Sequence, residues 1–269
     1  MSVCSRSPSH TRRSPSRRRC MRKMTVWALV LFLAGSGCRR RSEDDSRLSW
    51  QIIGGPGHSS GLFNRPRGID FSARRQRLYV VDWDGRIQCF SVAGNFRGGW
   101  VMPDIDKGKP EDLCITPEGT ILVADTHYSR VVEFDSRGRV LRMFGSYGMK
   151  AGQFVYPVGI CQDRQGNIYV SEYGGIHSIQ KFTREGKFLL RIGRTGSKPG
   201  ELQRPSGICI GPDGALYVAD AVNHRIQSFD CDTGKPLGAW GRLGSEPGAF
   251  RYPYDVDFWH ENMVVLEYG

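Results

Sequence analysis

Three histidines occur in comparable loops of the 269-residue chain: His127, His177 and His224. Each loop follows an acidic residue that ends a short apolar run. Three neutral imidazoles on one face can hold zinc and leave a position open for water. The three positions are not equivalent within their loops, however, so we expect no bound cofactor, and zinc or calcium is the less favoured alternative.

In two of these loops an acid and an arginine stand at opposite ends. The pairs are Asp125 with Arg130 and Asp220 with Arg225. At this spacing a carboxylate can accept loop N–H groups and pair with the guanidinium. Because the arrangement is repeated, we interpret both pairs as structural.

The loop between them departs from this pattern. Glu172 replaces the aspartate, Ser178 occupies the arginine position, and the loop is one residue longer. A departure inside a regular array is the better place to look for function, so Glu172, Tyr173 and His177 are the candidate ligand-binding residues. We predict no catalytic residue, because no Gly-x-Ser-x-Gly motif and no isolated carboxylate pair occurs.

These loops lie in a repeated unit of four short strands. In the clearest copy, residues 205–241, apolar runs rich in β-branched residues alternate with turns such as Gly-Pro-Asp-Gly. The strands are apolar at both parities, which is typical of sheets buried on both faces. Five prolines open successive units: Pro66, Pro110, Pro157, Pro205 and Pro253.

The tripeptide Asn223-His224-Arg225, within the pattern PxGI, LYVAD and NHRIQxF, resembles the NHL repeat family. The resemblance covers about residues 48–269 and implies an all-β fold, a β-propeller of four-stranded blades, usually six in the family. About four and a half blades are present here. We therefore expect the reading frame to continue past Gly269, with roughly 70 further residues closing the ring at 40 to 50 residues a blade. Trp50–Gly54 is expected to supply an outer strand to the blade near the C-terminus.

The resemblance implies a binding module for a protein, a peptide or a glycan. Peptidyl-hydroxyglycine lyases, which resemble NHL propellers, use zinc held by histidine. A metal-dependent lyase or lactonase acting in the channel is therefore the alternative, and whether the chain is an enzyme stays open, with a non-catalytic role favoured.

The excess of positive charge belongs to the N-terminus. The first 40 residues hold ten of the 38 Lys and Arg and no acid, which leaves 28 against 27 in the remainder. A nearly neutral remainder argues against a nucleic-acid partner.

The N-terminal 47 residues are expected to direct export. Residues 1–20 form a basic extension, and residues 21–38 read as a signal peptide whose apolar run ends in Gly-Ser-Gly before Cys38. This ending resembles the lipobox of bacterial lipoproteins, which implies lipidation of Cys38. Residues 39–47 then form a charged tether, and residues 48–269 form the propeller. We expect an exported, lipid-anchored protein at the cell membrane or its periplasmic face.

Overall fold

The computed structural model describes residues 51–268. The predicted extension, signal peptide, lipidation site and tether lie outside the described residues. The described part is all-β apart from short 3-10 turns, and it contains no helix long and apolar enough to span a bilayer.

Sixteen strands form four antiparallel sheets of four, and two more form a hairpin. Each sheet follows chain order from an inner to an outer strand, so the predicted four-stranded propeller blades are confirmed. The strands are β1 (Pro66–Ser72), β2 (Arg77–Asp82), β3 (Arg86–Ser91) and β4 (Phe96–Val101); β5 (Asp112–Ile115), β6 (Ile121–Asp125), β7 (Arg130–Phe134) and β8 (Val140–Phe144); β9 (Pro157–Gln162), β10 (Ile168–Glu172), β11 (Ser178–Phe182) and β12 (Phe188–Ile192); β13 (Pro205–Ile210), β14 (Leu216–Asp220), β15 (Arg225–Phe229) and β16 (Pro236–Trp240); and the hairpin β17 (Pro253–Trp259) with β18 (Asn262–Glu267).

The hydrophobic core lies between blades. Val81 and Ile87 of the first blade pack in one cluster with Leu113 and Val123 of the second, and three further clusters join each later pair. Successive residues of a middle strand point to opposite faces of its sheet, and each face packs against a different neighbouring blade. This arrangement explains why both sets of residues are apolar.

The inner strands approach one another closely. A Cβ added to Gly68 would lie 2.7 Å from the Cα of Asp112, and one added to Gly207 would lie 2.7 Å from the Cα of Asp255. Glycine at these positions lets neighbouring inner strands meet around a narrow channel.

The loops that cross from one blade to the next use the repeated glycines. Gly148 N donates to Phe154 O at 3.2 Å, and Gly145 and Gly152 have positive φ values of 98° and 77°. These glycines shape a connection between blades. The outer strand expected at Trp50–Gly54 is not formed by residues 51–55; Gln51 Nε2 instead donates to Ala93 O of the first blade at 2.7 Å.

Candidate functional site

Residues at or just before the start of the five inner strands surround a cavity of about 360 Å³ at one end of the channel. The residue after each opening proline lines it, and we call these five positions the channel ring: Arg67, Glu111, Val158, Ser206 and Tyr254. The surrounding scaffold repeats from unit to unit, whereas this position holds a different residue in every unit. Different side chains at equivalent positions of a repeated backbone can give a site its specificity for one ligand over another.

Three members of the channel ring contact one another across the mouth. Arg67 Nε donates to Glu111 Oε2 at 2.7 Å, and Tyr254 OH lies 3.4 Å from both Glu111 Oε2 and Arg67 Nη2. Burial by itself would lower the pKa of Arg67, but its neighbours Tyr254 and Glu111 raise it. Burial also raises the pKa of Tyr254, so its hydroxyl stays protonated at neutral pH. The trio joins the first, second and fifth units.

The residue before each opening proline stands at the same end of the channel. We call this set the rim: Arg65, Lys109, Tyr156, Arg204 and Tyr252. Four of the five adopt the left-handed region, with φ of 49° to 56°, which is uncommon for residues other than glycine. The backbone at the rim is therefore constrained, while its side chains vary between cationic and aromatic.

Each candidate metal-binding histidine instead stabilises the rim. In every case Nδ1 accepts a hydrogen bond from a rim N–H: His127 from Lys109 at 3.2 Å, His177 from Arg204 at 3.3 Å, and His224 from Tyr252 at 3.2 Å. Since a backbone N–H only donates, Nδ1 of each ring acts as the acceptor. Within residues 51–268 no group of three or more His, Cys, Asp and Glu side chains is placed to hold a metal, so the structure does not bring these three together as ligands.

Aromatic rings lie against the rim cations. Lys109 Nζ is 3.2 Å from the ring centroid of Trp83, and the guanidinium carbon of Arg65 is 5.0 Å from the same ring. The guanidinium carbon of Arg204 lies 5.0 Å from the ring of Tyr173. Contacts of this kind orient a cation without neutralising it.

The three candidate ligand-binding residues of the irregular loop lie in different surroundings. Tyr173 lines the cavity, and burial raises the pKa of its hydroxyl. His177 is half-buried beneath Arg204, and burial together with that cation lowers its pKa. Glu172 is buried, is not among the residues that line the cavity, and accepts hydrogen bonds from Val155 N, Ser178 Oγ, Gln180 Nε2 and Arg191 Nη1 at 2.8 to 3.1 Å.

Both Asp–Arg pairs are present in the loops. Arg130 Nε lies 2.8 Å from Asp125 Oδ2, and Arg225 Nε lies 2.8 Å from Asp220 Oδ2. Arg225 Nη2 also donates to the carbonyls of Lys198 and Glu201 in the preceding crossing loop. The Asp220–Arg225 pair therefore stabilises the loop that crosses between the third and fourth blades, which is a structural role.

The channel ring and most of the rim were not singled out by sequence reasoning. Aligning the units on their opening prolines would have placed both sets at equivalent positions, and it would have shown that the residue after the proline differs in every unit.

Comparison with known proteins supports this fold. Residues 202–229 match the family model described as NHL repeat. Together with the four-stranded blades, this match supports the predicted NHL-repeat β-propeller.

Relatives are similar over limited lengths. The protein brain tumor of Drosophila melanogaster is 32% identical over 77 residues, which is 28% of this chain and 7% of that protein. A chain of the nidogen/laminin complex is 21% identical with a TM-score of 0.58, covering 75% of this chain and 72% of its own. Virginiamycin B lyase from Staphylococcus aureus is 19% identical with a TM-score of 0.54, covering 71% of this chain and 59% of its own. At these identities the two structures show a common fold alone.

Proposed function

We propose that this chain is an exported, membrane-tethered binding module that takes a protein segment, a peptide or a glycan at the channel mouth. The observation that carries the proposal is the channel ring, where five equivalent positions of a repeated scaffold hold five different side chains around one cavity. Cavities of this size with a few polar groups and aromatic walls are typical of ligand sites. Export and tethering rest on the apolar run and the small residues before Cys38.

A thermal-shift screen of the purified full chain against peptides and glycans tests the binding role, because a ligand of the folded state raises the unfolding temperature. Hits are measured again with Arg67→Gln, which changes the channel ring, and with Arg164→Gln, which changes an exposed residue in the turn between β9 and β10. We expect loss of the shift in the first variant only. Hits that shift both variants equally would contradict the proposed site.

A metal-dependent lyase or lactonase acting in the channel is the second candidate. The contact between Tyr254 OH and Glu111 favours it, because a buried carboxylate and a phenol within reach of each other can transfer a proton. Turnover of cyclic esters by the full chain with added divalent metal, abolished by Tyr254→Phe, would support this candidate over a binding role.

A further inference from the structure

The mouth of the channel carries more positive charge than its carboxylate balances. Glu111 contacts two cations: its Oε2 lies 2.7 Å from Arg67 Nε, and its Oε1 lies 3.5 Å from Lys109 Nζ. The guanidinium groups of Arg65 and Arg204 are exposed and form no ion pair or hydrogen bond with any residue of the described range. Glu111 therefore contacts two of the four cations at the mouth, and Arg65 and Arg204 lie there without a carboxylate partner from the described residues.

Aromatic rings hold the two unpaired guanidinium groups in place. The guanidinium carbon of Arg204 lies 5.0 Å from the ring centroid of Tyr173, and Tyr173 stacks on Tyr156 with ring centroids 5.6 Å apart and an interplanar angle of 21°. The guanidinium carbon of Arg65 lies 5.0 Å from the ring centroid of Trp83. A cation–π contact leaves the guanidinium charged, and its N–H groups can meet a planar carboxylate in a two-pronged geometry.

The polarity of the channel reverses below the rim. Asp112 and Asp255 line the deeper part of the same cavity, where Asp112 accepts a hydrogen bond from Ile160 N at 3.0 Å and Asp255 from Val256 N at 2.9 Å. An anion is therefore favoured at the rim and disfavoured at depth. Val158 and Gly159 also line the cavity and carry no charge, and about 360 Å³ admits one or two side chains rather than a folded surface.

We infer that the ligand is an acidic peptide segment of a partner protein, with carboxylates at Arg65 and Arg204 and one neutral side chain inserted into the channel. This inference rests on the proposed binding function and names its ligand class. A nucleic acid would need a continuous cationic track, whereas residues 41–269 carry 28 Lys and Arg (38 less the ten of residues 1–40) against 27 acids.

The test uses the full chain and a fluorescein-labelled pentapeptide of four glutamates around a central leucine. A second pentapeptide replaces every glutamate by the isosteric glutamine, and a third probe is oligouridylate. By fluorescence anisotropy we expect the acidic peptide to bind about tenfold more tightly than its glutamine counterpart, and more weakly as salt rises. Arg204→Gln and Arg65→Gln should each weaken binding about tenfold, whereas Arg164→Gln should not.

The outcomes are distinguishable. If the two peptides bind with equal affinity and Arg67→Gln weakens both, that result would overturn the inference of an acidic ligand but would still support the proposed binding function. Oligouridylate that binds more tightly and responds to Arg204→Gln would assign the surface to nucleic acid and overturn the inference. If no probe shows binding that is weakened by Arg67→Gln, the result would contradict the proposed binding function itself.

Discussion

The guanidinium of Arg191, on the outer strand β12, lies 2.8 Å from the buried carboxylate of Glu172. In the other three blades the first residue of the third strand, Arg86, Arg130 or Arg225, makes this ion pair. The Nη2 of Arg191 also donates to the crossing-loop carbonyls of Met149 and Lys150, as the Nη2 of Arg225 does in the fourth blade. In the third blade, Arg191 of the outer strand therefore makes the ion pair with the loop acid and the hydrogen bonds to the crossing loop. It compensates for the missing arginine at position 178.

Removing that cation should destabilise the third blade. Arg191→Gln leaves Glu172 buried without its ion-pair partner, and burial already raises the pKa of this carboxyl. We expect a loss on the order of 2–4 kcal/mol in the free energy of unfolding, measured in urea. Arg194→Gln, which breaks only the exposed pair with Glu201, is the matched control and should change little. Equal effects of the two substitutions would contradict the compensating role of Arg191.

The second blade should give the protein a distinctive pH dependence. Gln180 and Gln227 donate to the loop acids of the third and fourth blades at 3.1 Å, but Val132 stands at the equivalent position of the second. Asp125 Oδ1 has no hydrogen-bond partner within residues 51–268. Burial raises the pKa of Asp125 to about 6, opposed by Arg130 and reinforced by Asp104.

Because the pKa of Asp125 is higher in the folded state, the folded protein holds this proton more tightly. The contribution of Asp125 to stability is therefore greatest below pH 3.8 and falls as pH rises to about 6, by about 3 kcal/mol. Asp125→Asn should remove this decline, so the difference in unfolding free energy between variant and wild type should grow between pH 4 and 6. A difference that is constant across this range would rule out the raised pKa.

The histidines beneath the rim allow a matched test of the irregular loop. His177 holds Arg204 and His224 holds Tyr252 through equivalent hydrogen bonds. We predict that His177→Ala weakens binding of the acidic pentapeptide severalfold more than His224→Ala, because only the first loosens a cation that meets the ligand. The same ordering is expected for Tyr173→Ala against Ala221→Ser. Affinities are compared at matched thermal stability, and a larger loss from His224→Ala would reject the prediction.

Membrane attachment is predicted to depend on Cys38. Each buried CH₂ of an acyl chain adds about 0.8 kcal/mol of membrane affinity. Cys38→Ala should therefore move the full chain from the membrane fraction to the soluble fraction and abolish labelling with an acyl-chain precursor. Retention of the label by the variant would show that the lipobox interpretation is wrong.

The sequence was sufficient for the blades because their signals are local: short runs apolar at both parities, Gly-containing turns and evenly spaced prolines. The site was harder to predict. Arg67 and Tyr254 are 187 residues apart and meet only when the inner strands gather around the channel. Arg191 could not be paired with Glu172 from the pattern, since it lies on a different strand from the arginine it replaces.

The most direct test of the central claim is to fill the channel mouth. Ala221 lines the cavity at a half-buried position, so Ala221→Trp should occupy the mouth without disturbing the core between blades. Ala93→Trp, on an exposed turn at the other end of the first blade, adds the same side chain away from the site. We predict that Ala221→Trp lowers affinity for the acidic pentapeptide by more than tenfold while Ala93→Trp binds as the wild type does. Undiminished binding by a folded Ala221→Trp protein would contradict a ligand site in the channel.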